Sequence, residues 1–178
     1  MKYEISYSRR KRVAIQILPD GRILVKAPLG MSRKAVDAVV EAHRGWIGKH
    51  LPKEPVAIEK LSAEELRVLA DRAMEEFPDR VRHFAPLVGV TYGKITIRNQ
   101  HSRWGSCSSK GNLNFNCLLM RCPEEVRDYV VVHELCHRIE MNHSPAFWAE
   151  VERVLPGYRE QKQWLKDHGP ALIHSMEG

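Results

Sequence analysis

The chain has 178 residues, 43% hydrophobic and 28% charged, with a net charge of +6, so one domain or two small ones with a genuine core are expected. No apolar run approaches the roughly 20 residues of a bilayer span, and the first dozen residues lack the apolar stretch of a secretory signal, so a cytoplasmic protein without membrane contact is expected. Cys107, Cys117, Cys122 and Cys136 form no C-x-x-C pair, which argues against a disulfide framework or a thiolate zinc cage. The excess positive charge is N-terminal: residues 1–51 hold 11 Lys/Arg against 4 Asp/Glu, and residues 52–178 hold 17 against 18.

Val13, Ile15, Ile17 and then Ile23, Val25 alternate around Pro19-Asp20-Gly21, the pattern of a β-hairpin. Ser32 is a candidate N-cap, and Val36, Val39, Val40, Trp46 and Ile47 continue at helical spacing to about Leu51. Residues 1–55 thus read as a basic β-β-α unit, with Pro52 and Pro55 marking the boundary to a second domain over 56–178. Ser62-x-x-Glu65 is a capping box opening a helix that Pro78 is expected to kink or end. Strands are expected over 90–98 and 112–119, with a polar loop between them. Pro123 fits the start of a helix reaching about Met141, Ser144-Pro145 the start of another, and a last helix runs from Tyr158 to about His168 before a loose tail at 169–178.

The central helix contains His133-Glu134-Leu135-Cys136-His137. In this H-E-x-x-H pattern the two imidazoles lie one turn apart on one face and can converge on one ion, for which zinc is the natural occupant. Glu134 is the candidate catalytic carboxylate, directed at a metal-bound water rather than at the metal. Cys136 should face the core. For the third ligand, Glu140 lies about 10 Å along a straight helix from His133, too far to close a tetrahedral site. His143 is the better candidate, because a helix end at Met141-Asn142, with Asn in the left-handed conformation, would swing it back toward the metal. Glu150 is the alternative carboxylate ligand.

Arg103-Trp104-Gly105-Ser106-Cys107, together with His133 to His137 and Asn142-His143-Ser144-Pro145-Ala146-Phe147-Trp148, resembles the YgjP-like metallopeptidase family, related to the SprT and WLM zinc proteases. The Pro-Asp-Gly hairpin also resembles that family's N-terminus. The resemblance implies an α+β fold: a zincin-like core with a small antiparallel sheet packed on the H-E-x-x-H helix, preceded by a β-hairpin plus helix unit. It implies Zn2+ held by His133, His137 and His143, Glu134 as the catalytic carboxylate, and a protein or peptide substrate. The strand near 112–118 is then a candidate for pairing with extended substrate. Arg103 is a candidate oxyanion or substrate-binding group, although a salt bridge tying down its loop is the more ordinary role for such a residue, and Trp104 is a candidate pocket wall or core residue. Two alternatives remain: metal-dependent UTP pyrophosphatase activity, a name that family members also carry, and an SprT-like protease whose basic N-terminal segment binds nucleic acid or a nucleotide. Against the triphosphate reading, the chain has no G-x-x-x-x-G-K-[ST] phosphate loop.

Overall fold

The computed structural model of the chain describes residues 1–53, 55 and 57–176. The chain divides into two compact units, Met1–Glu59 and Lys60–Gly178. The boundary expected at 55/56 touches Val56, which lies outside the described residues, as do Glu177 and Gly178 at the end of the expected tail.

In the first unit the expected hairpin forms as β2 (Ala14–Ile17) and β3 (Ile23–Pro28), antiparallel with Ile15 opposite Val25. A strand not anticipated from the sequence, β1 (Glu4–Ser8), pairs in parallel with β3, giving the order β1-β3-β2. Gly21 makes the turn at φ 83, a conformation open to glycine because it has no Cβ. The single helix expected after Ser32 is two: α1 (Arg33–Ala42) and α2 (Arg44–His50), broken at His43, whose φ of −102 and ψ of 8 lie outside the helical well. Ser32 caps α1 by accepting from the Ala35 N–H at 3.2 Å. Ile23, Val25, Ala27, Val36, Val40 and Ile47 form this unit's core.

The second unit begins with α3 (Ala63–Val88), opened by the Ser62–Glu65 capping box as expected. Pro78 does not end it. The helix runs on through Pro78 and Pro86, because a proline removes one backbone bond whereas Leu69, Ala73, Phe77, Val81, Phe84, Ala85 and Val88 together bury a continuous apolar stripe. The strand expected over 90–98 shortens to β4 (Ile95–Arg98), and the one over 112–119 becomes β6 (Leu113–Asn116) followed by a 3-10 helix, Cys117–Arg121. The polar loop between them hides a further strand, β5 (Gly105–Cys107). The sheet order is β4-β6-β5, with β4 parallel and β5 antiparallel to β6, so the sheet is mixed rather than wholly antiparallel. Because β6 is flanked on both sides, it has no free edge for a substrate; on the H-E-x-x-H side that edge belongs to β5.

Three helices complete the unit: α4 (Glu124–Cys136), α5 (Pro145–Val154) and α6 (Tyr158–His174). The α6 helix overruns the expected loose tail. Gly169 lets the Trp104 indole approach so closely that a Cβ there would sit 2.9 Å from Cζ2, and the Leu61 N–H donates to the Ser175 carbonyl at 2.8 Å. Arg80 ties α3 to α4 through Glu124 and Asp128, and Glu76 does so through Arg127. Among the described residues no helix is long and apolar enough to cross a membrane.

Phe77 of α3 and Phe115 of β6 stack at the centre of this core, ring centroids 4.6 Å apart and 8° from parallel. Both are fully buried, so Phe115→Ala removes transfer free energy and leaves a cavity. Urea unfolding should show a loss of about 3–5 kcal/mol; a loss under about 1 kcal/mol would mean that the site collapses freely.

Candidate metal centre

The α4 helix starts where Glu124 and Glu125 meet the positive end of its dipole and carries a nearly all-apolar buried face, so His133 and Glu134 are held on a rigid element with His137 at its C-cap. It ends at Cys136, five residues earlier than the expected Met141. Its last bonds tighten to three-residue spacing, Arg138 N–H to the Leu135 carbonyl and Ile139 N–H to that of Cys136. Among the described residues no non-glycine residue has positive φ, so Asn142 does not make the reversal. The tightened turn does, and the His137 side chain closes it, its Nδ1 lying 3.0 Å from the Glu140 carbonyl. Ser144 then caps α5 by accepting from the Phe147 N–H, with Pro145 in the first turn, which fixes His143 immediately before a helix start.

The outcome is that His133, His137 and His143 each offer a donor atom within 4.8 Å of the others. The Nε2 atoms of His133 and His143 lie 3.0 Å apart. On His137 the Nδ1–H is engaged by the Glu140 carbonyl, which leaves its Nε2 as the acceptor, and on His133 the Nδ1 faces the Tyr129 hydroxyl at 3.5 Å. Burial, then the neighbouring His137 and His143, pushes the His133 imidazole down to about 3. His137 is lowered by burial too. For His133 and His137 this favours the neutral imidazole, the form that binds a metal, and with His143 three imidazoles fit a zinc site that keeps a fourth position open. Glu140 contributes its backbone carbonyl to His137, and the Glu150 carboxylate lies 2.8 Å from Arg153, so neither alternative carboxylate joins the cluster.

Glu134 is 5% exposed, and burial pushes its carboxyl up to about 8, with Arg103 pulling the other way. It rests against β5 so closely that a Cβ on Gly105 would lie 2.7 Å from both its Cγ and its Oε1. A side chain at position 105 would therefore displace Glu134. Arg103 is exposed and forms no salt bridge among the described residues; its charge acts on Glu134, while its carbonyl accepts from Asn116. Asn116, 1% exposed, organises the whole loop: its Nδ2 donates to the Gln100 and Arg103 carbonyls and its Oδ1 accepts from the Leu118 N–H. Trp104 packs into the core beside α6. Cys136 is fully buried and its thiol is pushed up to about 12 by burial, so it packs in the core as expected.

Several side chains around the site were not singled out from the sequence. Phe147 backs all three imidazoles, with ring centroids 4.9, 4.6 and 4.9 Å from those of His133, His137 and His143. Trp148 lies over His143 and stacks on Tyr158, and Lys162 Nζ sits 3.7 Å from the Trp148 ring centroid. Phe147 and Trp148 stood in the sequence as part of the motif that carries the family resemblance, with no role of their own; nothing local distinguishes a core phenylalanine from one that supports three imidazoles.

Residues 53–168 match the family model described as YgjP-like, metallopeptidase domain. Two solved structures are similar over half of this chain. The zymogen of the metallopeptidase abylysin from Pyrococcus abyssi is 28% identical, with a TM-score of 0.46, covering 50% of this chain and 91% of that one. The zymogen of jannalysin from Methanocaldococcus jannaschii is 23% identical, with a TM-score of 0.44, covering 51% and 92%. No curated protein matches the chain.

Proposed function

The chain belongs to the YgjP-like metallopeptidase family, and from that membership we propose that it hydrolyses peptide bonds at a zinc ion held by His133, His137 and His143, with Glu134 moving the proton. The observation that carries this reading is the convergence of three imidazoles within 4.8 Å, with the Nδ1 of His137 engaged by the Glu140 carbonyl and that of His133 facing the Tyr129 hydroxyl. A bound zinc supplies a Lewis acid for the scissile carbonyl and lowers the pKa of a water.

The chain's own groups do the rest. The Glu134 carboxylate takes a proton from the attacking water and delivers it to the leaving amine, and a carboxyl whose affinity for protons is raised by burial suits both halves of that transfer. Arg103 is exposed and near enough to act on Glu134, which suits an oxyanion or substrate contact. Trp148, braced by Tyr158 and Lys162, lies over His143 and supplies an apolar surface beside the reacting bond. Substrate backbone pairs with the edge strand β5, the strand that touches Glu134.

Gly105→Ala isolates the positioning of Glu134. The three atoms nearest the new methyl all belong to the Glu134 side chain and none to the backbone, so folding and metal content should stay near wild type while kcat falls by about 10- to 100-fold. Full activity in that variant, measured on a chromogenic peptide, would show that the carboxylate works from another position.

The decisive experiment is a mass-spectrometric digest in which metal-loaded protein meets unfolded protein, a peptide library and UTP together. Peptide fragments support this reading and report the cleavage preference; loss of UTP alone replaces it with pyrophosphatase chemistry. Lys2, Arg22 and Arg33 line the 520 Å³ cavity of the first unit, and the pairing of the two arginines favours the former outcome. Arg22 is paired with Asp20 at 2.6 Å and Arg33 with Asp37 at 3.3 Å, so a triphosphate would have to displace carboxylates.

A further inference from the structure

The first unit carries a second feature that peptide hydrolysis does not use. Its sheet runs β1-β3-β2, so β2 is an edge strand. Edge strands are normally guarded by charge or proline, yet Ala14–Ile17 reads Ala-Ile-Gln-Ile. Ile15 and Ile17 oppose the buried Val25 and Ile23, so they share the face on which that unit's apolar core is built. Beside that edge lies a groove of about 210 Å³ lined by Val13, Ile15, Val39, His43 and Trp46.

Trp46 is 44% exposed although one ring face already stacks on His50 at 4.3 Å, and His50 is pinned through Nδ1 to the Trp46 carbonyl. A braced, half-exposed tryptophan beside an unguarded edge has the makings of an anchor pocket. The run Arg9-Arg10-Lys11-Arg12 leads directly into Val13, and none of the four forms a salt bridge among the described residues. Backbone donors and acceptors, an apolar slot and an unpaired cationic run therefore occur together.

We infer that this groove captures an extended acidic polypeptide segment, which adds a strand to β2, places an apolar side chain against Trp46 and sets its carboxylates near Arg9 to Arg12. An added strand alternates its side chains, so every second one enters the groove while those between them face solvent. Nucleic acid would use the cationic run but neither the strand edge nor the aliphatic lining, which is why a peptide is the better match.

The test uses the full-length Glu134→Gln chain, so that the probe is not consumed, and a fluorescein-labelled peptide of about ten residues alternating leucine with aspartate and glutamate. Expected results are saturable binding that weakens with salt, new hydrogen-exchange protection at residues 14–17, and at least about 10-fold weaker binding in Trp46→Ala. Replacing Arg9, Arg10, Lys11 and Arg12 together by glutamine should weaken binding and flatten its salt dependence. Arg10 is half-buried and the other positions are exposed, and circular dichroism checks that each variant folds. Equal binding of a lysine-containing version of the peptide overturns the proposal, as does unchanged affinity in Trp46→Ala. Displacement of the peptide by a tighter-binding single-stranded DNA assigns the surface to nucleic acid instead, and a dimer that Trp46→Ala dissolves assigns it to a second copy of this chain. Every readout is binding without turnover, so failure here leaves the hydrolytic reading standing, and failure of hydrolysis leaves this one.

Discussion

Replacing Glu134 by glutamine should leave metal content at the wild-type level and lower peptide hydrolysis by about 10²- to 10⁴-fold, the usual contribution of a positioned general base. The change is nearly isosteric, so it preserves the packing of the side chain against Gly105 and leaves the three imidazoles untouched. What it removes is the ability to accept and return a proton. Burial also makes the variant well behaved: a neutral amide is easier to bury than a carboxylate, so thermal stability should not fall. Metal analysis and a fluorogenic peptide assay on the same preparation give both readouts. Hydrolysis surviving at the wild-type rate would remove Glu134 from the mechanism whatever the metal does.

The second large effect is on the metal itself. His143→Ala removes one of three donors, and zinc affinity, measured by competition with a chromophoric chelator, should fall by more than about 100-fold, the upper range for losing a group that merely orients a ligand. His143 is exposed, unlike His137, so its loss does not open the core, and a fall in metal content reads as ligation rather than misfolding. Unchanged metal content would pass the third position to another group. Glu150 would have to leave Arg153, 2.8 Å away, to take it. Tyr129→Phe is the graded comparison: it deletes only the hydroxyl facing His133 Nδ1 and should cost less than the loss of His143.

Much of the chain was readable locally. The hairpin over residues 12–27 announces itself by alternation around Pro-Asp-Gly, Ser62 and Glu65 form their capping box within one turn, and Ser144-Pro145 starts a helix where a cap and a first-turn proline coincide. In each case the residues that decide the conformation lie within a few positions of one another. The same holds for the 133/137 pair, since helical pitch alone puts the two imidazoles on one face.

The misreadings share a cause. Gly105-Ser106-Cys107 has no apolar alternation, and it is a strand only because Leu113 to Phe115 offer it a ladder. Strand β1 exists through its parallel pairing with β3, about twenty residues away in sequence. The end of α6 looked like a frayed tail because its stabilising partners, Trp104 and Leu61, are remote. Pro78 looked like a stop because a local rule cannot weigh one lost backbone bond against a stripe of buried side chains.

The sequence by itself determined the kind of chemistry: two imidazoles and a carboxylate at helical spacing, a third histidine six residues on, and a basic N-terminal segment. Only the tertiary structure decided how that chemistry is held. The turn after Cys136 brings His143 within 3.0 Å of His133, β5 closes on Glu134 at a glycine, and Phe147 backs the three rings. Donor identity is a property of residues, whereas the convergence, burial and proton affinity of those donors depend on which distant segments pack around them.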